Sequence, residues 1–261
     1  MQKKQIYTNN KINMNLLSNI YVVTIKRNLD RQVRMTKLLS KHNLQFSFIE
    51  GIDGEQLNSN ILKSVFDADK SRARLGYDIT KNEIACSLSH IKALKTFLKD
   101  HKKDYALILE DDIEISNFDT LKNAINYMPP KEAWDLLYLG YQEMNMSMPL
   151  MIFIKWQFIY PVLIFLRIKL YDLKKIKRIF GRPYNNYWFR AGSHNTSHAY
   201  IVSRDGAKKI LDYNTPVTLQ ADVVLMHLIT DGKLNAFALK KPLFKQSSDL
   251  ESSIGARASW D

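Results

Sequence analysis

The stretch Tyr105-Ala-Leu-Ile-Leu-Glu110-Asp111-Asp112 ends an apolar run in three consecutive carboxylates. Acids this close repel one another unless a cation neutralises them. Their oxygens suit a hard divalent ion, Mn²⁺ or Mg²⁺. The apolar run reads as a strand buried on both faces of a parallel sheet. Open α/β sheets place their ligands at the carboxyl ends of such strands. The same acids also read as a solvated loop capping the next helix.

The elements that must hold these acids follow from periodicity. Ile20-Tyr-Val-Val-Thr-Ile25 is rich in β-branched residues and reads as a first buried strand. Asn28 caps a helix expected to run to about His42. A second strand is expected over Gln45–Glu50, closed by the turn signal Gly51-Ile-Asp53-Gly54. Thr80 and Glu83 form a capping box that opens a helix to about Lys99. On it Glu83, Ser87 and His90 share a face. A helix near 118–127 is stopped by Pro129-Pro130. Strands are expected at 134–140, 199–203 and 234–239, and helices at 206–212 and 222–229. Alternating strands and helices argue for an α/β architecture with a mostly parallel sheet.

Composition fits a globular chain of 261 residues with a substantial core. The lone Cys86 excludes an internal disulfide framework and fits a reducing compartment. Residues 1–18 read as a poorly ordered basic tail without the apolar core of a signal peptide, so a cytoplasmic location is expected. Residues 19–261 read as one catalytic domain that includes an insertion at 142–190. Of the net charge of +12, the segment from Arg167 to Arg182 carries +6, seven bases against Asp172. Just before it, residues 150–166 are strongly apolar. That run is short of the roughly 20 residues a membrane span needs, and Pro161 interrupts it. A span would also part strands assigned to one sheet. The readings left are shallow contact with an anionic membrane surface at its inner face or a helical hairpin buried against the core.

Six segments, in order, resemble glycosyltransferase family 25, the lipopolysaccharide and lipooligosaccharide glycosyltransferases related to collagen galactosyltransferases. They are Tyr21–Arg31 with Arg34, Phe48–Gly54, Glu83–His90, Leu107–Asp112, His198–Ser203 and Ala221-Asp222. The resemblance implies a GT-A type fold and inverting transfer of a hexose, most often galactose, from a UDP-sugar. The acceptor would be a lipid-linked or oligosaccharide chain. Asp112 would be the direct ligand of Mn²⁺ or Mg²⁺, with Glu110 the second metal candidate, and Glu110 or Asp111 would help through ribose, sugar hydroxyls or metal-bound water.

Lys26, Arg27, Arg31 and Arg34 follow the first strand. Their charge suits a diphosphate, and it equally suits a solvated helix face. Thr24 and Asp53 are candidates for uridine contacts, although Asp53-Gly54 is also a turn signal. Glu83, Ser87 and His90 are placed in or beside the donor site; the alternatives are a capping glutamate and a core histidine. Inversion needs a general base for the acceptor hydroxyl. Asp222 is the candidate, and its alternative is an ordinary acid at a helix start. A metal-dependent phosphoesterase is disfavoured because the histidines lack paired ligand spacing. A basic nucleic-acid-binding module is disfavoured because the charge run adjoins an aliphatic and aromatic one.

Overall fold

The β-branched opening run forms β1 (Ile20–Thr24), followed by α1 (Leu29–Ser40) and β2 (Ser47–Glu50), which pairs parallel to β1. This is a computed structural model; it describes residues 19–250 except 117, 119–123, 145–148, 168–171, 196–197 and 248. The expected tail and residues 119–123 of the expected helix at 118–127 lie outside the described residues; 118 and 124–126 are helical. Next come α2 (Ser59–Val65), α3 (Ala68–Leu75) and the long α4 (Lys81–Lys99). The capping box at Thr80 is present in both directions: Thr80 Oγ1 accepts from Glu83 N, and Glu83 Oε2 accepts from Thr80 N at 2.8 Å.

From α4 the chain enters β3 (Tyr105–Glu110) and the short β4 (Ile113–Ile115), then β5 (Leu136–Gly140) and β6 (Glu143–Met144). The insertion contributes α5 (Leu150–Ile154), a π-helical turn (Lys155–Ile159), α6 (Tyr160–Phe165) and the basic α7 (Leu173–Ile179). The remaining elements are β7 (Arg182–Pro183), β8 (Trp188–Arg190), β9 (His194–Asn195), β10 (Ala199–Ser203), α8 (Arg204–Tyr213), α9 (Ala221–Thr230), β11 (Ala236–Leu239) and β12 (Phe244–Gln246).

The main sheet runs β2-β1-β3-β10-β5-β11-β8-β7, with β12 beside β5 and β4 beside β12. Strands β2, β1, β3, β5 and β11 point the same way, and β10 is inserted antiparallel between β3 and β5. The architecture is therefore α/β with a mostly parallel central sheet. Pairing of β5 with β10 joins the segments on either side of the insertion in one sheet.

Alternation along β3 divides the core. Ala106 and Ile108 pack on one face with Leu94, Phe97, Tyr138 and Tyr200; Leu107 and Leu109 pack on the other with Met35, Leu39, Leu137 and Ile201. Every residue of β3 from Tyr105 to Leu109 is buried, as a central strand covered on both faces requires. The chain leaves β1 for β2 on one side and returns to β3 on the other. The crevice at the carboxyl ends of β1 and β3 is thus a topological switch point.

Candidate functional site

The three acids emerge at that crevice, in register: Val23 of β1 faces Glu110 of β3. All three line an open cleft of about 810 Å³, part of it bulk solvent. The three carboxylates have different partners, and these assign them different work.

Asp111 is fully engaged. It accepts from Thr24 Oγ1 at 2.6 Å, from Asn28 Nδ2 at 3.3 Å and from Arg31 Nη1 at 2.8 Å. Both Asp111 and the Arg31 side chain are largely buried, so this ion pair ties α1 to the end of β3. Asn28 precedes α1, yet it makes no side-chain cap; its amide goes to Asp111 instead.

Glu110 sits 3.6 Å from His90 Nε2, and His90 Nδ1 lies 2.9 Å from the Tyr200 hydroxyl. Burial pushes the Glu110 carboxyl up, but hydrogen bonding and charge from His90, with His198 behind it, hold it below the usual carboxylate range.

Asp112 is the strained member. Its Oδ2 accepts from Gln246 Nε2 at 2.8 Å, and its carbonyl accepts from Ser247 N at 2.7 Å. Its Oδ1 is buried without a hydrogen-bond partner among the described residues. Burial, then repulsion from Glu110 and Asp111, pushes this carboxyl up to about 6 despite Gln246 and Arg31. A crowded carboxylate with one orphaned oxygen is a fitting seat for a divalent cation. Among the described residues no group of three or more His, Cys, Asp or Glu is arranged to hold a metal. An ion seated at Asp112, with Glu110 nearby, would need the rest of its ligands from outside the protein, such as a substrate phosphate and water.

Gln246 arrives through β12, which pairs with β5 at Gly140 and with β4 at Ile113. A side chain at Gly140 would stand 2.7 Å from His198 Cδ2 and 2.9 Å from Phe244 Cβ. Only glycine lets β12 approach this closely.

The remaining candidates divide. Arg27 and Asp53 stand in the cleft wall and pair at 3.3 Å; Arg27 also pairs with Glu55. Asp53 caps a short 3₁₀ turn, Gly54–Gln56, by accepting from Glu55 N. Lys26 is exposed and outside the wall. Arg34 is directed to β4, where it donates to the Ile113 carbonyl at 2.8 Å and pairs with Glu114.

On α4 the cleft takes Asn82, Ala85, Cys86, Ser89 and His90. Glu83 and Ser87 are buried on the neighbouring face. Glu83 Oε1 accepts from Gln220 Nε2, and Ser87 donates to the Leu219 carbonyl. Asp222 lies in the first turn of α9, where its carboxylate accepts from Val223 N. It is outside the cleft wall but near enough to act on the charge of Glu110, Tyr138 and His194. Gln246 and Asn82 are cleft residues that sequence reasoning missed. Asn82 adjoins the capping box, but nothing local marks Gln246.

A family model described as glycosyltransferase family 25 (LPS biosynthesis protein) matches residues 17–225, which hold β1, β3, all three acids and Asp222. The chain belongs to glycosyltransferase family 25. Procollagen galactosyltransferase 2 of Homo sapiens is 28% identical over 136 residues, covering 50% of this chain and 22% of that protein. A glycosyltransferase 25 family member of Anopheles gambiae is 25% identical over 207 residues, 75% of this chain and 28% of that protein. An inactive glycosyltransferase 25 family member 3 of Mus musculus is 26% identical over 132 residues, 48% of this chain and 22% of that protein. The matches thus span only about a quarter of the length of these relatives.

Proposed function

We propose that this family 25 chain is an active, inverting hexosyltransferase of GT-A type. It moves a hexose, most often galactose, from a UDP-sugar to a hydroxyl of a growing lipid-linked or oligosaccharide glycan of the lipopolysaccharide or lipooligosaccharide kind. The observation that carries this reading is the orphaned Asp112 Oδ1, buried in the wall of the cleft at the β1/β3 switch point.

In this reading Asp112, assisted by Glu110, holds Mn²⁺ or Mg²⁺. Such an ion supplies Lewis-acid stabilisation of a diphosphate leaving group. Arg27, at the cleft rim, exchanges its contacts with Asp53 and Glu55 for phosphate oxygens, to which a guanidinium binds bidentately. Asp53, released from Arg27, meets the uridine. Arg31 and Thr24 act through Asp111, keeping the acidic turn rigid so that Asp112 stays aimed into the cleft. His90 orients Glu110. Asp222 takes the proton of the acceptor hydroxyl as it attacks the anomeric carbon opposite the leaving group.

The test is a panel of UDP-hexoses with Mn²⁺, following UDP release and the anomeric configuration of the product by NMR. Metal-dependent release from one UDP-hexose with inverted configuration supports the reading. Retained configuration overturns the inverting mechanism. Absence of binding and turnover across the panel would place this chain with the inactive members. Asp222→Asn should keep UDP binding while turnover falls about 10²-fold or more.

A further inference from the structure

The insertion is amphipathic in the wrong sense for a water-facing hairpin. Residues 150–165 form an almost continuous helix of two α segments around a π turn. Ile152, Trp156, Tyr160, Pro161, Leu163 and Ile164 are its less exposed residues. Met151, Phe158, Val162 and Phe165 recur at intervals of seven, four and three along the opposite face, at 65%, 64%, 53% and 85% exposure, with exposed Lys155 the one charge on that face, between Met151 and Phe158. Leu150, Ile159 and Leu166 widen the stripe. None of the helical residues here is buried, so the hairpin is not packed into the core. A helix on a water-facing surface presents charge outward. An apolar stripe of this extent marks an interaction surface.

Charge identifies the occupant. Trp156 donates its indole N–H to the Leu173 carbonyl at 3.0 Å, and Lys177 Nζ lies 5.4 Å from the same ring. Trp156 therefore fastens the basic α7 alongside the apolar helix. Lys174 and Lys177 are exposed there, whereas Lys175 pairs with Asp231 at 2.8 Å. An apolar stripe flanked by lysines and an amphipathic indole matches the boundary between acyl chains and anionic headgroups. No helix among the described residues is long and apolar enough to cross a membrane.

We infer that this face docks on an anionic bilayer surface, with Phe158, Val162 and Phe165 entering the acyl boundary and Lys174 and Lys177 resting among headgroups. The inference is independent of the reaction the cleft performs.

Flotation of the full chain with vesicles of phosphatidylcholine alone, or with added phosphatidylglycerol, tests it. Binding should be strong to the anionic vesicles and weak but measurable to neutral ones. Lys174→Gln with Lys177→Gln should lower affinity for anionic vesicles about 25-fold, roughly fivefold per lysine, and leave neutral binding unchanged. Phe158→Ser with Phe165→Ser should reduce binding to both. These side chains are exposed, so circular-dichroism melts of both variants should match the parent chain. Failure of the parent to float with anionic vesicles overturns the inference. So does a stable dimer by sedimentation that dissociates in the phenylalanine variant, which would assign the stripe to a second copy.

Discussion

Three neighbouring carboxylates end in three situations because each meets a different element. Asp111 is a strut, Glu110 leans on an imidazole, and Asp112 carries the unrelieved repulsion. Replacing Asp112 by Asn removes a charge that the fold resists, so the metal-free protein should gain up to about 3 kcal/mol at neutral pH, the free energy of a shift of roughly two pH units. The same variant should lose any Mn²⁺-induced rise in melting temperature. An unchanged Mn²⁺ shift would move the cation elsewhere. Arg31→Met should act the other way. It leaves Asp111 with Thr24 and Asn28 alone and should destabilise by about 3 kcal/mol, at the low end for a broken buried pair. Urea denaturation measures both. A silent Arg31→Met would show that the two neutral donors suffice.

Elements explain which residues the sequence disclosed. The capping box was legible because its partners are three residues apart. The acidic turn was legible because an apolar run of strand length stops there. The face of α4 was harder to read. Glu83, Ser87 and His90 do share a stripe, but the loop before α9 claims its first two members through Gln220 and Leu219. The cleft takes the stripe one residue earlier, at Asn82 and Cys86, and meets the first only at His90. Arg31 and Arg34, three residues apart on α1, part in the same manner: one reaches β3 and the other β4. No periodicity distinguishes such faces without the neighbouring element. Glu83→Gln therefore tests placement. It should cost about 1 kcal/mol through the weakened cap and leave nucleotide affinity unaltered in calorimetry. A drop in nucleotide affinity would return Glu83 to the donor site.

At the scale of the molecule, acid acts through opposing groups. His194 is buried, with its Nδ1 3.1 Å from the Gly192 carbonyl, and burial pushes its imidazole down to about 4. Burial also lowers His198 and His227. A depressed histidine contributes stability that is full above its unfolded value of about 6.5 and is lost as pH falls toward about 4. For His194 alone that is roughly 3 kcal/mol. Asp112 has the reverse sign: its raised carboxyl regains stability as pH falls from about 6 to about 4. The two slopes oppose each other across one window. Asp112→Asn should unmask the histidines, giving a stability that falls more steeply with acid by about one proton. Urea titrations at several pH values between about 4 and 6.5 would show it, and parallel curves for the two proteins would deny the compensation. Sequence reasoning saw strands on both sides of the insertion in one sheet. It did not see β10 reversed between β3 and β5, or β12 bringing Gln246 to Asp112, because both are pairings between distant segments whose register no local signal carries.

That late pairing has a bearing on biosynthesis. A chain emerging from the ribosome presents β1, α1, β2 and β3 first, and Asp111 can find Thr24, Asn28 and Arg31 early. Asp112 cannot be closed in until residues 246 and 247 emerge, because Gln246 and Ser247 supply its remaining contacts. Until then its carboxylate faces water, which screens the repulsion and gives a cation no advantage over solvent. The enclosed, crowded Asp112 carboxylate thus forms only after nearly all of the described chain has been translated, and the proposed cation seat would be completed no earlier.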